Sequence, residues 1–481
     1  MLRDAIDRPP EDELRERARD RAEQVLRLHA WPPALPALLG RLRRDGGQAY
    51  LVGGTVRDVL LGRESDRRID VATDRTPDEV VARFERVEPV GIAHGTVLVL
   101  AGGLEIDCTT FRREGGYADA RRPDRVEFTR DALADLGRRD LTVNALAFDP
   151  AAGALLDPHG GSLDLERGIL RAVGDPIERF REDALRPLRV ARLAAVLAME
   201  PEAGTREAMS RVADRAPLLA MERVREEWHK MLSAPRPSVG IELLREAGLL
   251  ALWAPELARC RGVLQNRYHA YDVYDHSLHT CDAAPAAKPR VRWAALLHDI
   301  GKPDTRVERE GDGTFYDHQF VGADLAGALL ERFRFPVDER LAIVHLVREH
   351  MFDFRHEWSD AALRRWLRRV GVDSVADLFD LRIADTLGNG LRTGFPAYLE
   401  EMRDRIERLI AESHALSVRD LAVDGTDVMR VLRTGPSRRV GETLQALLEE
   451  VLDHPERNSR GDLLARLEEW AERARRDAPN A

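Results

Sequence analysis

A glycine pair and two separated carboxylates near the start of the chain have the residue types of a site for phosphate and metal. Gly53-Gly54 precedes Val56-Arg57-Asp58. If a strand ends at the glycines and a helix opens after them, backbone N–H groups, a helix N-terminus and the Arg57 guanidinium would meet where an anion can bind. Asp70 and Asp107 stand in separate β-branched runs. On one sheet face, their hard oxygen atoms would hold a divalent metal ion.

Asp183 and Arg186 have the chemistry to read the edge of a nucleotide base. Their spacing predicts that they lie one turn apart on one helix face, where a carboxylate acceptor and a guanidinium donor can meet the same base. Cytosine and adenine present an exocyclic amine beside a ring-nitrogen acceptor, whereas uracil and guanine present a carbonyl beside an N–H donor. The pair would therefore select C or A. The alternative is an ordinary ion pair within a helix, which contributes only about 0.2–0.5 kcal/mol.

Short β-branched runs between Gly and Asp turns must position the first group of residues. From about residue 48 to 175 these runs predict a mixed α/β domain. We expect its strands at residues 49–52, 69–72, 95–100, 104–110 and 168–173. After Pro176, apolar residues recur at helical spacing, which predicts an almost entirely helical remainder. Residues 11–45 are typical of charged helices interrupted at Trp31-Pro32-Pro33.

The composition narrows the class of protein. With 481 residues, 44% hydrophobic and 33% charged, we expect several helix-rich globular domains. The three cysteines form no CxxC pair, which argues against disulfides or cysteine-bound zinc and favours the cytoplasm. No secretory pattern or bilayer-length apolar run is found, so we expect no membrane contact. We interpret the Arg-rich run at residues 364–369 as a solvated helix face, with phosphate binding as the alternative.

Five motifs in order resemble those of the tRNA nucleotidyltransferase (CCA-adding) and bacterial poly(A) polymerase family. They are GGTVRD at 53–58, IDVATD at 69–74, TTFRREGGYADARRPDRVEF at 109–128, RRDLTVNALAFDP at 138–150 and EDALRPLR at 182–189, and the similarity continues through 222–232. The resemblance implies a nucleotidyltransferase-fold head, dependence on Mg²⁺, and transfer of CMP and AMP from CTP and ATP to the 3′ end of tRNA. The implied nucleotide-binding residues are Gly53, Gly54, Arg57, Arg139, Asp140, Asn144, Asp183, Arg186 and Arg189.

One position departs from the family pattern. The family has Asp-x-Asp on the strand that carries Asp70, with both acids binding the catalytic metals, but Arg68 stands here two residues before Asp70. Asp66 precedes Asp70 by four residues, on the same strand face, and a bulge would let it substitute. We therefore predict Asp70, Asp107 and Asp66 as the catalytic residues. Otherwise a guanidinium points into the metal site and opposes Mg²⁺. His94 is a further candidate for approaching the triphosphate.

In the helical half, His276, His298-Asp299 and Asp385 match the four primary ligand positions of the HD metal-dependent phosphohydrolase superfamily, which this half resembles. We expect His298 and Asp299 to be adjacent on a helix. His318 and His350 match positions that some HD proteins use for a second metal. Imidazole suits Mn²⁺, Ni²⁺ or Co²⁺, and the carboxylates tolerate Mg²⁺. Lys302 would bind phosphate as a point charge. We interpret the remaining histidines of this half as non-ligands: His269, His279, His345 and His356.

These observations predict an α+β protein that acts on RNA 3′ ends. We expect N-terminal helices at 1–45, a nucleotidyltransferase head at 46–175, nucleotide-selecting and neck helices at 176–255, an HD domain at 256–400 and a helical tail at 401–481. The expected partners are tRNA, CTP and ATP. The oligomeric state stays open, as does the choice between CCA, CC-only or A-only addition and poly(A) synthesis. The contrasting hypothesis is a catalytically inactive head that binds nucleotide or RNA beside an active HD hydrolase.

Overall fold

The computed structural model divides the chain into two compact units. The first contains Met1–Ala258 and Arg332–Phe335, and the second contains Arg259–Glu331 and Pro336–Ala481. The structure describes residues 10–63, 68–92, 95–115, 125–309, 312–352, 354, 356–391, 394–412 and 417–476. Within these ranges, none of the helices combines the length and apolar character needed to cross a bilayer.

The first unit contains a mixed sheet flanked by helices. The strands of this unit are β1 (Ala49–Val52), β2 (Arg68–Thr73), β3 (Val87–Glu88), β4 (Thr96–Ala101), β5 (Leu104–Thr110), β6 (Arg112–Gly115), β7 (Arg125–Phe128), β8 (Ala147–Asp149), β9 (Ala154–Leu156), β10 (Ile169–Leu170) and β11 (Glu200–Pro201). Its helices are α1 (Glu11–Leu28), α2 (Leu35–Arg43), α3 (Gly53–Leu60), α4 (Pro77–Val81), α5 (Ala132–Gly137), α6 (Gly161–Arg167), α7 (Pro176–Glu182), α8 (Arg186–Leu197), α9 (Ala203–Arg211), α10 (Met221–Leu232), α11 (Pro237–Glu246), α12 (Leu249–Trp253) and α13 (Pro255–Ala258). Short 3-10 helices lie at Arg44–Gly46, Thr142–Asn144 and Ala213–Leu218.

Register places the two predicted carboxylates side by side. The main sheet has the order β3-β4-β5-β2-β1-β8-β9, and its central strands β2 and β5 run parallel with Asp70 opposite Asp107. On both strands the neighbouring apolar residues, such as Ile69 and Cys108, are buried. Because side chains alternate between the two faces of a strand, Asp70 and Asp107 both project from the face opposite to these buried residues.

In the part of the second unit that the structure describes, one hairpin accompanies an otherwise helical fold. Its elements are α14 (Val273–Ala283), α15 (Pro289–Leu297), α16 (Lys302–Thr305), β12 (Arg306–Arg309), β13 (Asp312–Phe315), α17 (His318–Arg332), α18 (Val337–Glu349), α19 (Asp360–Val370), α20 (Val375–Gly388), α21 (Tyr398–Ala411), α22 (Gly425–Leu432), α23 (Arg438–Asp453) and α24 (Arg460–Arg476). Short 3-10 helices lie at Val372–Ser374, Val418–Asp420 and Pro455–Arg457. The hairpin β12–β13 is an exception within the almost entirely helical remainder that we expected, and its short polar strands carry no clear alternation that would predict it.

The predicted α+β class is confirmed, but three local expectations are wrong. The strand expected at 168–173 is reduced to β10. Asp183 and Arg186 do not share a helix face: α7 ends at Glu182, and α8 begins at Arg186. In a continuous helix Pro187 would have no N–H to donate to the Asp183 carbonyl and its ring would clash with that carbonyl, whereas proline is tolerated in the first turn of α8. The Asp183 side chain accepts the backbone N–H of Leu185 at 3.0 Å, which closes a turn. Similarly, His298-Asp299 follows the last residue of α15 instead of lying within a helix.

The arginine run at residues 364–369 joins helices of the second unit. Arg364 donates to the backbone carbonyl of Leu452 at 2.7 Å. Arg365 forms an ion pair with Asp453 at 2.6 Å, and Arg368 pairs with Glu449. These contacts connect α19 to the end of α23. Arg365 and Arg369 are exposed, as expected of a solvated face, whereas Arg364 is buried and has a structural role.

Candidate active sites

One cavity of about 460 Å³ in the first unit brings together the described head residues that the sequence singled out. It is lined by Gly53, Gly54, Arg57, Asp70, Asp107, Arg139, Asp140, Asn144, Asp183, Arg186 and Arg189. Asp66 and His94 lie outside the described residues. Arg112, Arg138 and Arg192 also line the cavity. Arg112 and Arg138 lie within the motifs quoted above but were not predicted individually as site residues. Arg192 lies outside those motifs.

Both glycines are needed where the chain turns from β1 into α3. Gly53 has φ +60°, and a Cβ atom there would lie 2.9 Å from Nη1 of Arg139. A Cβ atom at Gly54 would lie 3.3 Å from Oδ2 of Asp70. Glycine adopts positive φ without the steric cost of other residues. The backbone can therefore approach both the carboxylate and the guanidinium closely.

A hydrogen-bonded network fixes two arginines on the cavity wall. Arg57 donates from Nη1 to Oδ1 of Asn144 at 2.6 Å, and Asn144 donates from Nδ2 to Oδ1 of Asp140 at 3.0 Å. Arg189 donates from Nε to Oδ2 of Asp140 at 2.7 Å. Burial alone would raise the pKa of Asp140, but the Arg189 charge and the Asn144 hydrogen bond hold it below its ordinary value. Asp140 is thus an ionised anchor that orients cationic groups.

Asp70 and Asp107 differ in their surroundings. Burial, followed by the charge of Asp107, raises the pKa of Asp70. Asp70 forms no ion pair with a cationic side chain among the described residues. Asp107, in contrast, is held by Arg68, which donates from Nε to Oδ2 and from Nη2 to Oδ1, the latter at 2.8 Å. The Arg68 guanidinium therefore lies beside the Asp70–Asp107 pair. This is the alternative that the departure from the family pattern at residue 68 raised.

Asp183 and Arg186 line the same cavity despite the break between their helices. Arg223 of α10 donates to Oδ2 of Asp183 at 3.0 Å. Arg186 donates from Nη1 to Oε2 of Glu182 at 2.6 Å and from Nη2 to the Arg138 carbonyl at 3.0 Å. The two side chains are thus held by other partners, and the intrahelical Asp183–Arg186 ion pair that we weighed as an alternative is not formed.

In the second unit, six predicted residues converge from separate elements. His276 lies on α14, His298 and Asp299 follow α15, and His318 opens α17. His350 follows α18, and Asp385 lies on α20. All but Asp385 are almost fully buried. Their imidazole and carboxylate groups form two overlapping clusters with metal-ligand spacing, His276-His298-Asp299 and Asp299-His318-His350.

Asp299 faces both clusters with different oxygen atoms. Its Oδ2 lies 3.1 Å from Nε2 of His298 and 3.5 Å from Nε2 of His276. Its Oδ1 lies 3.3 Å from Nε2 of His318 and 3.8 Å from Nε2 of His350. A carboxylate placed in this way can bridge two metal ions.

The four histidines are oriented by backbone carbonyl groups. Nδ1 of His276 contacts the Gly388 carbonyl at 3.2 Å. Nδ1 of His298, His318 and His350 contacts the carbonyl three residues earlier in each case, at 2.8, 2.7 and 2.7 Å. A carbonyl can only accept, so each Nδ1 donates, and each Nε2 is left with its lone pair toward the cluster. Burial lowers the pKa of His350 to about 3, which keeps it neutral and able to bind metal.

Cationic side chains lie beside this cluster. Lys302 donates from Nζ to Asp299 and, at 2.6 Å, to Oε1 of Gln265. Arg382, which we did not predict, donates from Nη1 to Oδ2 of Asp385 at 3.1 Å and from Nε to the Tyr398 hydroxyl at 2.8 Å. Lys302 and Arg382 both line a cavity of about 380 Å³ that includes His298, Asp299 and Asp385. The cavity therefore combines metal-binding atoms with groups that attract a phosphate anion.

The histidines predicted as non-ligands make other contacts. His345 contacts the Val370 carbonyl at 2.7 Å, and His356 pairs with Glu401 at 2.9 Å. The ring of His279 packs on Tyr271 with centroids 4.3 Å apart. His269 lines the cavity, and its Nδ1 contacts Oδ1 of Asn266 at 2.8 Å.

The sequence matches three domain families in chain order. These are the Poly A polymerase head domain over residues 49–171, the Probable RNA and SrmB- binding site of polymerase A over residues 198–260, and the HD domain over residues 266–390. Nucleotidyltransferase and HD domains generally use divalent metal ions.

Among known proteins, the CCA-adding enzyme of Geobacillus sp. (strain WCH70) is 31% identical over 446 residues, which are 90% of this chain and 95% of that enzyme. The enzyme of Anoxybacillus flavithermus (strain DSM 21510 / WK1) is 46% identical over 222 residues. That match spans 46% of this chain and only 55% of the relative, and a match to the Geobacillus thermodenitrificans enzyme spans 65% of its length.

A solved structure supports the same relationship. The Bacillus stearothermophilus CCA-adding enzyme in complex with CTP superposes with a TM-score of 0.71 and 28% identity, over 93% of this chain and 100% of that one. Because the similarity to the Geobacillus sp. enzyme extends over nearly the full length of both proteins, this chain belongs to the family of CCA-adding enzymes.

Proposed function

We propose that the first unit transfers CMP and AMP from CTP and ATP to the 3′ end of tRNA, and that the protein acts in the cytoplasm. The observation that carries this proposal is the single cavity in which a carboxylate, fixed arginines and base-reading groups meet. Seven arginines and four aspartates are among its lining residues. This excess of positive charge suits a nucleoside triphosphate, and the family relationship supports tRNA as the acceptor.

Each part of the nucleotide would have partners among the residues that line the cavity. The N-terminus of α3 and the guanidinium groups of Arg57 and Arg139 would bind the triphosphate. Asp183 would accept a hydrogen bond from the exocyclic amine of C or A, and Arg186 would donate to the adjacent ring nitrogen. Each carboxylate oxygen can accept more than one hydrogen bond, so the Arg223 contact orients Asp183 without using up its capacity.

The head metal would be Mg²⁺ held by Asp70 and the phosphates of the substrate. Mg²⁺ sites often consist of one or two carboxylates completed by substrate oxygens. When bound, the ion would neutralise developing charge on the transferred phosphoryl group. The described residues do not supply a free second carboxylate here, because Arg68 engages both oxygens of Asp107. Asp66 stays our predicted additional ligand.

The same ion pair favours one competing function for the head. An inactive head that binds nucleotide or RNA would tolerate a guanidinium at the carboxylate pair. To separate the two, purified protein is incubated with tRNA lacking its 3′-terminal CCA and with each labelled triphosphate in turn. Incorporation of C or A supports transfer, whereas CTP binding without incorporation under any metal condition supports the inactive head.

We also propose that the second unit is a metal-dependent phosphohydrolase. This proposal depends on the position of Asp299 between two histidine pairs whose Nε2 atoms converge. The six residues fit two divalent ions, Mn²⁺, Ni²⁺, Co²⁺ or Mg²⁺. Such ions lower the pKa of bound water toward about 7 and polarise a phosphoryl oxygen. Lys302 and Arg382 would attract the phosphate, and resemblance to the superfamily suggests 2′,3′-cyclic phosphates or terminal phosphates of RNA.

Metal content and turnover test the hydrolase proposal together. Wild-type protein and the Asp299→Ala variant are assayed on 2′,3′-cyclic AMP and p-nitrophenyl phosphate with each metal. Turnover that depends on metal and is lost in the variant supports the proposal. Stoichiometric metal without turnover of any substrate would assign the cluster a structural role instead.

A further inference from the structure

We infer that Arg68 is a built-in counter-ion that competes with the divalent metal for Asp107 and so raises the metal concentration that the head requires. The inference deepens the proposed transfer activity and rests on it for the presence of a metal at the head. Its basis is an ion pair within the sheet, between the first residue of β2 and the middle of β5.

The register of the sheet explains why Arg68 can reach Asp107. Arg68 lies opposite Glu105, and Asp70 lies opposite Asp107, on the parallel strands β2 and β5. Residues two apart on a strand share a face, so Arg68 and Asp70 project to the same side. The long Arg68 side chain then reaches diagonally to Asp107 and uses both of its oxygens. This bidentate arrangement is the geometry in which guanidinium and carboxylate groups pair most strongly.

Two electrostatic effects oppose a metal at this position. A divalent ion that takes Asp107 as a ligand must first displace the bidentate partner. The displaced guanidinium, still tethered two residues from Asp70, would then repel the ion. Half of the Arg68 side chain is exposed to solvent, which weakens its ion pair. Competition with the metal, not permanent exclusion, is therefore the expected result.

Manganese affinity in the absence of nucleotide and tRNA tests the inference directly. Mn²⁺ binding to the full chain is measured by electron paramagnetic resonance in an Asp299→Ala background, so that differences between head variants are seen against a constant second unit. We expect Arg68→Ala to lower the Mn²⁺ dissociation constant at least tenfold. Arg68→Lys keeps the charge but loses the bidentate geometry. Its Mn²⁺ dissociation constant should lie between those of wild type and Arg68→Ala.

A double substitution separates release of Asp107 from a general effect of charge. Asp107→Asn should change Mn²⁺ affinity little when Arg68 is present and should abolish the gain when Arg68 is replaced by alanine. Such non-additivity is the signature of direct coupling. Arg86→Ala is the matched control. It removes the same charge from the same unit at an exposed position, where the side chain forms only a long ion pair with Glu88 at 3.9 Å, and it should leave the affinity unchanged.

Three results would overturn the inference: equal Mn²⁺ affinity in wild type and Arg68→Ala, an equal gain in Arg86→Ala, or a gain in Arg68→Ala that survives Asp107→Asn. In the transfer assay, Arg68→Ala should lower the Mg²⁺ concentration that gives half-maximal incorporation. If the Mn²⁺ affinities change as expected but no variant incorporates C or A, the proposed transfer activity fails while the role of Arg68 stands.

Discussion

If the second unit binds two metal ions as we propose, replacing Asp299 by asparagine should remove both. Its two oxygens lie 3.1 and 3.3 Å from Nε2 of His298 and His318, one histidine from each cluster. Asparagine has nearly the same shape, so packing should survive. It lacks the negative charge, however, and one of its two terminal groups is an NH₂ that cannot bind metal. Each ion would keep two neutral imidazoles and lose the carboxylate that they share.

The matched variant Asp385→Asn should affect only one of the ions. Oδ1 of Asp385 lies 3.1 Å from Nε2 of His276 and 3.9 Å from Nε2 of His298. Within the described residues it forms no ion pair with His318 or His350. Loss of its charge should therefore weaken the His276-His298-Asp299 site and spare the other.

The size of the effect follows from the ligand arrangement. Loss of groups that merely support a metal ligand reduces affinity about 10- to 100-fold. Loss of the ligand itself should reach at least the upper end of that range, which corresponds to about 2.7 kcal/mol for each ion. At a metal concentration that just saturates wild type, a hundredfold weaker site is almost empty.

The assay is metal content after gel filtration, measured by plasma mass spectrometry on protein loaded with Mn²⁺ without nucleotide. We expect the metal held by the second unit to fall by about half in Asp385→Asn and to near zero in Asp299→Asn, with the same contribution from the head in both variants and circular dichroism unchanged. Equal metal content in the two variants would refute the assignment of Asp299 as the bridging residue.

Further predictions concern the head and the core. Asp183→Ala should relax the preference for C and A or abolish incorporation, because a matched hydrogen-bonding site can discriminate by about 10⁴ or more; unchanged selectivity in nucleotide-incorporation assays would remove Asp183 from base recognition. Asp66→Ala should abolish incorporation if Asp66 is the additional metal ligand, and full activity in that variant would defeat the assignment. Gly53→Ala should destabilise the protein in urea titrations by about 1–2 kcal/mol, because alanine is strained at φ +60°; Gly46→Ala, at φ +73° with nothing within 4 Å, should cost less because it lacks the crowding against Arg139. Burial raises the pKa of Cys108 and Cys260 to about 12, so neither thiol should react with a thiol reagent at pH 8 before denaturation, and rapid labelling of the native protein would contradict this.

Patterns that depend on local periodicity were predictable from the sequence. The strand at residues 104–110 and the turn from Gly53 into a helix agree with the structure, because alternating burial and glycine conformation are local properties. The order of the motifs along the chain predicted that the described head residues would line one cavity. The family relationship implied by those motifs is confirmed by the comparison with known CCA-adding enzymes.

Features set by tertiary contacts were not predictable in the same way. The spacing of Asp183 and Arg186 suggested one helix, but Pro187 and a side-chain turn at Asp183 separate them into two. The contact of Arg382 with Asp385 requires only one helical turn, yet its place in the cavity depends on how α20 packs. The ion pairs of Arg365 and Arg368 could not be predicted, because their acidic partners Asp453 and Glu449 lie far away in sequence.

Sequencing the 3′ ends of tRNA products tests the central claim most directly. A tRNA that ends before its terminal CCA is incubated with the wild-type protein, Mg²⁺ and all four nucleoside triphosphates. The cavity that joins Asp70, the fixed arginines and the Asp183–Arg186 pair predicts products extended only by C and A, and none in an Asp70→Asn variant. Products that contain U or G, or no extension at any Mg²⁺ or Mn²⁺ concentration, would contradict the claim.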